Sequence, residues 1–197
     1  MSKMFEGKTL ANFDPKKQPA AYKLIKGYDL IGGSSIILSG NYGTGKTHLA
    51  FALLDRYIKE WPATGENHWG IKYERSFPVH FTNENRLLSR IRMTYQDGAG
   101  ENEEQIYGQL RTCELLIIDD VGKVKPRDYN FLQGVYFRII DDRYNDKRAV
   151  LLTTNFSLSE LDAHIGGASS DRLNEMAGKN MVVMAGKSQR QGNVSTK

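Results

Sequence analysis

Between Gly40 and Thr47 the chain reads Gly40-Asn41-Tyr42-Gly43-Thr44-Gly45-Lys46-Thr47, a glycine, four further residues and then Gly-Lys-Thr. Glycines let a backbone curl and aim successive N–H groups at one point, which is what the oxygens of a phosphate require. Lys46 adds a positive charge for the outer phosphates, and the Thr47 hydroxyl adds an oxygen ligand for Mg²⁺. His48 follows directly and is grouped with this loop on the nucleotide side. A second set of groups is Leu115-Leu116-Ile117-Ile118-Asp119-Asp120, an apolar run that ends in two acids. Asp119 suits the carboxylate on the metal side, and Asp120 suits the residue that polarises an attacking water. A third is Thr153-Thr154-Asn155, whose terminal amide can hydrogen-bond that water or the γ-phosphate. The alternative for Asn155 is a cap for the helix or turn at Ser157 to Leu161.

These residues work together only if secondary structure brings them to one edge. A phosphate loop needs a strand before it and a helix after it. The runs Ser35 to Ser39, Val79 to Thr82, Leu115 to Ile118, Ala149 to Thr153 and Met181 to Met184 predict strands, separated by stretches of helical spacing. This alternation predicts an α/β fold, a mostly parallel sheet with helices on both faces. The loop then follows the first strand and precedes a helix from His48 to Lys59, and the acids stand at the carboxyl edge of the sheet, where such folds gather ligands. Phe131, Leu132, Val135, Tyr136, Ile139 and Ile140 recur at helical intervals and predict a helix from Asp128 to Tyr144 with one face on the sheet. Leu87, Leu88, Ile91 and Tyr95 mark another, with Arg86 and Arg90 on its opposite face. Trp61 to Pro78 and Asp97 to Glu104 read as surface connections. Phe5, Phe13 and Tyr22 precede the first strand and either pack in the core or lie against adenine. The four histidines show no metal-site spacing.

Composition sets outer bounds. The 197 residues fit one α/β domain, and 40% hydrophobic with 25% charged residues is the profile of a folded chain rather than a disordered one. We read a short N-terminal segment over 1–27, the nucleotide-binding domain over 28–186 and a polar tail over 187–197. A lone cysteine, Cys113, excludes an intramolecular disulfide and fits a reducing, cytoplasmic setting. No stretch approaches the roughly 18 apolar residues that span a bilayer, so no membrane association is expected. The net charge of +4 tilts slightly toward an acidic partner.

The three motifs together, Gly40 to Ala50, Leu116 to Gly122 and Thr153 to Asn155, resemble the AAA+ core of the DnaC/DnaI-type helicase loaders and their phage and transposon relatives. The resemblance runs from about Leu10 to Arg190. It implies a P-loop fold with a five-stranded parallel sheet of order 5-1-4-3-2, use of ATP and Mg²⁺, homo-oligomers in the ATP-bound state, binding to single-stranded DNA and contact with a replicative DNA helicase. Asp171-Arg172-Leu173 matches the family's arginine-finger motif, which implies that Arg172 reaches a neighbouring subunit's γ-phosphate. Gly186-Lys187-Ser188-Gln189-Arg190 is similar to the family's terminal element, in which Arg190 serves as a second phosphate sensor. Two departures stand out. Loaders usually carry an N-terminal helicase-binding region, and here a few dozen residues without cysteine precede the loop. Asp120 also stands where many AAA+ ATPases have Glu, and the shorter arm implies slow hydrolysis, a switch rather than a motor.

Cations near the sheet edge are candidates for nucleic acid. Arg86, Arg90 and Arg92 lie on or near one predicted helix, and Lys123, Lys125 and Arg127 follow the acid pair. In a ring or spiral they can track a phosphate backbone, with Tyr95 stacking on bases, or they form solvated charged surfaces. The leading expectation is an ATP-dependent helicase loader. The alternatives are a transposon-type helper that delivers a transposase, and a nucleotide-dependent binding module that hardly hydrolyses ATP. A small-molecule kinase fits less well, because no acceptor site is evident between Lys59 and Glu114.

Overall fold

In the computed structural model, which describes residues 7–62, 64–66, 72–74, 78–96, 98–123 and 125–186, the elements alternate as the apolar runs predict. In chain order they are α1 (Pro19–Lys26), β1 (Ile36–Gly40), α2 (Lys46–Glu60), β2 (Thr64–Glu66), β3 (Lys72–Glu74), β4 (Val79–Asn83) and α3 (Glu84–Met93). Then follow α4 (Glu103–Thr112), β5 (Leu115–Val121), α5 (Tyr129–Asn145), β6 (Ala149–Thr154), α6 (Leu158–Ile165), α7 (Gly167–Ala177) and β7 (Met181–Met184). The main sheet has the order β4-β5-β6-β1-β7, and every neighbouring pair is parallel. Counted along the chain these five strands read 2-3-4-1-5, the expected order from the opposite edge.

The period-two alternation of strand side chains divides the core in two. Leu116 and Ile118 of β5, Ile37 of β1 and Val150 and Leu152 of β6 face one side, against Leu132, Val135, Tyr136 and Ile139 of α5. Leu115 and Ile117, Ile36 and Leu38, and Leu151 face the other, against Leu49, Leu53 and Tyr57 of α2. Phe13, and Ala21 and Ile25 of α1, join that second layer, so the N-terminal residues from Phe13 onward share the core of the sheet. The interior strands β1, β5 and β6 are thus covered on both faces, which is why they read as apolar runs.

Several elements depart from the expected boundaries. The connection between α2 and β4 holds an antiparallel hairpin, Thr64 opposite Glu74 and Glu66 opposite Lys72, too short to show alternation. The polar stretch ahead of β5 gives way to α4, which starts with a reciprocal cap in which Asn102 and Gln105 each accept from the other's backbone N–H. Strand β5 does not end at its acids. It runs on to Val121, and its register with β6 slips between Ile118 and Val121. Asp128 is the cap of α5, not its first residue, its carboxylate accepting from Phe131 N–H at 3.0 Å. Among the described residues no helix is long and apolar enough to cross a membrane.

Candidate active site

The turn from β1 into α2 is glycine-dependent at Gly40, Gly43 and Gly45, with φ of 139°, 76° and 103°. At Gly40 a side chain is excluded twice over, because a Cβ there would stand 2.2 Å from the Met184 carbonyl oxygen of β7. The loop therefore lies against the sheet edge and opens onto the start of α2, where backbone N–H groups have no helical partner. Lys46, the first residue of α2, is only 6% exposed. Its ammonium turns back over the loop and donates to the carbonyls of Gly40 at 2.6 Å and Asn41 at 2.8 Å, and to Asn155 Oδ1 at 2.7 Å. Residues 109 positions apart thus meet at one cation. Thr44 is buried and donates to the Asn41 carbonyl at 2.9 Å, which stiffens the loop, while Tyr42 at its tip is exposed.

Behind the loop, Asp119 is 5% exposed. Its Oδ1 accepts from Thr47 Oγ1 at 3.0 Å and from Thr153 Oγ1 at 2.6 Å. Burial holds this carboxyl above the usual carboxylate range, the Thr153 and Thr47 hydroxyls pull it back down, and the neighbouring Asp120 charge adds to the rise. A buried carboxylate beside a hydroxyl is an all-oxygen donor pair and fits a hard cation such as Mg²⁺, which takes its remaining ligands from phosphate and water. Among the described residues no group of three or more His, Cys, Asp or Glu is gathered for a metal, so an all-protein cage is not what this edge offers. A triphosphate also fits the chemistry of the donors, since Lys46 and the N-terminus of α2 present positive charge on the open side of the glycine loop.

Asp120 adopts φ 58°, and its N–H donates to Thr153 Oγ1 at 3.0 Å. Its carboxylate, about a third exposed, pairs with Lys123 at 2.7 Å. Thr153 therefore serves both acids at once, orienting the first by donation and the second by acceptance. The sequence reading placed Thr153 beside Asn155 without giving it a task. The available signal was a hydroxyl inside an otherwise apolar run, for buried hydroxyls need partners.

The remaining candidates lie farther out. His48 Nε2 stands 2.9 Å from the Thr9 carbonyl and its ring meets Phe13 edge-on, so it ties the N-terminal segment to α2. Phe13, 4% exposed, is core. Arg172 lies on α7, where its guanidinium stands 3.2 Å from Asp141 of α5 and over the ring of Phe137. Arg90 is committed to Glu101, with two bonds of 2.6 Å, and to Gln109. Arg92 covers Phe131, and the Tyr95 hydroxyl donates to Glu103. Arg86 and Lys125 are exposed. Arg190 lies outside the described residues.

With this geometry in place, comparison with known proteins is decisive for the family. The family model described as IstB-like ATP binding protein matches residues 1–195. The chain belongs to the IstB-like ATP-binding family. Among curated relatives of this IstB-like chain, the replicative helicase loader DnaC of Escherichia coli K12 is 27% identical over 140 residues, which is 71% of this chain and 50% of DnaC. The chain thus spans about half the length of the curated loaders it matches. Among solved structures, the DnaC helicase loader superposes with a TM-score of 0.71 at 22% identity, covering 93% of this chain and all of that one. The replication initiator DnaA bound to AMPPCP and single-stranded DNA gives 0.64 at 16% identity over 92% of this chain and 51% of its own. The IstB-like chain therefore has the AAA+ P-loop fold.

Proposed function

We propose that this IstB-like protein is a Mg²⁺-dependent ATPase switch that acts in DNA replication as a helicase loader, engaging single-stranded DNA and a replicative helicase in the cytoplasm. The observation that carries it is the meeting of two hydrogen-bonded pairs at one sheet edge, Lys46 with Asn155 at 2.7 Å and Thr47 with Asp119 at 3.0 Å. Lys46 neutralises the outer phosphates, and the loop N–H groups hold the triphosphate in place. Thr47 and Asp119 would hold Mg²⁺, which when bound would neutralise charge on the phosphate oxygens. Asp120 orients the attacking water, Asn155 fixes the polar end of the site, and Arg172 of a second copy adds positive charge to the γ-phosphate in the ATP-bound homo-oligomer.

The loader reading is supported by the likeness to DnaC, and the DNA reading by the DnaA fold that holds single-stranded DNA. Of the six cations considered for DNA, Arg86, Lys125 and Arg127 are exposed, whereas Arg90 is paired with Glu101, Lys123 with Asp120, and Arg92 covers Phe131. The second reading is a transposon-type helper that delivers a transposase; the IstB-like ATP-binding family model over residues 1–195 is compatible with either. Partner capture separates the two, a hexameric helicase supporting loading and a transposase supporting delivery.

The test of the core reading is solution mass and ATP turnover, with and without single-stranded DNA, in the wild type and in Lys46→Ala. We expect a non-hydrolysable ATP analogue to raise the mass of the wild type alone, and slow turnover that Lys46→Ala abolishes. A wild type with no affinity for ATP removes the reading.

A further inference from the structure

One buried acid stands apart from the residues that face the nucleotide. Glu84, the first residue of α3, is 3% exposed. Its Oε2 accepts from the Gly122 N–H at 2.9 Å. Its Oε1 accepts from the Tyr136 hydroxyl of α5 at 2.9 Å and stands 2.8 Å from Nε2 of His164 on α6, itself 3% exposed. A carboxylate withdrawn this far from water persists only where donors occupy its lone pairs, and here three separate elements supply them.

One of these donors, the Gly122 N–H, belongs to the chain segment just past the acid pair. Asp120 sits at φ 58° and Gly122 at φ 79°, both in the left-handed region that side chains rarely adopt. A Cβ at Gly122 would fall 1.9 Å from the Phe156 ring, so the turn is closely walled. From the β6 side this turn is held by Thr153, which accepts the Asp120 N–H, and by Thr154, which donates to the Val121 carbonyl at 2.9 Å. From the opposite side, among the described residues, Glu84 supplies the side-chain anchor. An unfavourable backbone conformation persists only while its surroundings over-determine it.

We propose that Glu84 is a positioning residue for Asp120. Its carboxylate fixes the peptide at Gly122 and so sets where the Asp120 side chain stands, and through His164 it ties the helix pair α6–α7, which carries Arg172, to the same turn. The proposal rests on the reading of Asp120 as the residue that orients water. A merely structural role for this cluster makes a different forecast: loss of Glu84 lowers thermal stability and leaves the turnover of the folded protein alone.

The experiment uses the full chain and measures steady-state ATP turnover, affinity for the fluorescent analogue methylanthraniloyl-ATP with Mg²⁺, and melting temperature, with all rates taken well below each melting point. We expect Glu84→Ala to keep analogue affinity within about twofold and to lose about tenfold or more in kcat. Glu84→Gln retains an oxygen for the Gly122 N–H and should recover most of that rate. In an Asp120→Asn background Glu84→Ala should cost almost nothing further, because residues that act as one unit are not additive. A folded Glu84→Ala protein with wild-type kcat overturns the proposal, as does a full second loss in the double variant. Should Glu84→Ala not fold, His164→Gln decides in the same way, a severalfold lower kcat at unchanged affinity supporting the proposal and an unchanged kcat overturning it. A wild type that binds but does not turn over ATP fails the ATPase reading first and takes this proposal with it.

Discussion

Asp119 shows what burial costs an acid placed at the proposed metal side of the site. The residue is buried, and burial holds its carboxyl above the usual range because the charged form lacks water. An acid whose folded pKa exceeds its unfolded value weakens the fold wherever it is ionised, and that penalty disappears as pH falls through the folded pKa toward the unfolded one. Asp119→Asn keeps the shape and still accepts from Thr47 and Thr153, but carries no charge. We therefore expect this variant to melt higher than the wild type at neutral pH without nucleotide, with the difference shrinking as the pH is lowered toward the ordinary Asp range. Thermal melts across that range check it. In the presence of Mg²⁺ and ATP the order should reverse if Asp119 holds the metal as proposed, since the variant lacks that charge. Equal melting of the unliganded proteins at neutral pH would show that the hydroxyl bonds fully offset burial.

At the level of elements, what holds the far end of the sheet is an arginine. Arg143 in α5 is fully buried and donates to the carbonyls of Cys113 at 3.1 Å, Glu114 at 3.0 Å and Ala149 at 2.6 Å, as well as to that of Leu110. One side chain thus closes the end of α4 and the entries to β5 and β6. Burial pulls the guanidinium below its ordinary range, because its charged form lacks water there. Arg143→Met relieves that cost but leaves several buried carbonyls without donors, and the second effect is the larger, at about 1–3 kcal/mol for each unpaired group. We expect Arg143→Met to lower unfolding stability by roughly 3–5 kcal/mol, and Arg143→Lys, which loses the planar fork, to fall between. Urea titration checks both. The sequence carried a hint of this, since Arg143 continues the apolar stripe of Tyr136, Ile139 and Ile140 at helical spacing. An arginine in a core stripe is either a misread face or a buried pin, and periodicity cannot separate the two. The same boundary runs through the rest of the fold. Strands β1, β5 and β6 were legible because burial on both faces leaves uninterrupted apolar runs, and the phosphate loop because its geometry demands glycine at fixed steps. The hairpin β2–β3 is three residues a strand and shows no pattern. Glu84, Tyr136 and His164 are up to 80 positions apart, and only the folded chain shows that they converge.

For the molecule as a whole the open question is what a single copy lacks. Lys46, Thr47, Asp119 and Asn155 converge within one chain, whereas Arg172 points its guanidinium to Asp141 and Phe137 on the neighbouring helix α5. That ion pair is about a third exposed on each side, so water screens it and its contribution is small, on the order of 1 kcal/mol or less. An interaction this weak can be exchanged for a phosphate offered by a second copy, where charge in a water-poor interface counts for more. If Arg172 acts in trans, two defective chains should repair one another. Lys46→Ala retains Arg172 but cannot hold nucleotide, and Arg172→Ala holds nucleotide but brings no cation to its neighbour. Each alone should turn over ATP at least about tenfold more slowly than the wild type, since removing a finger of this kind costs 10³ or more in well-studied phosphoryl-transfer systems. Mixed in equal amounts they should regain a measurable fraction of wild-type turnover, because a mixed interface can pair an intact loop with an intact arginine. Turnover assays on the mixture, with solution mass measured in parallel on an ATP analogue, separate the outcomes. Mixed oligomers without recovered turnover would confine Arg172 to its contact with Asp141, and recovery would make the interface between copies part of the active site.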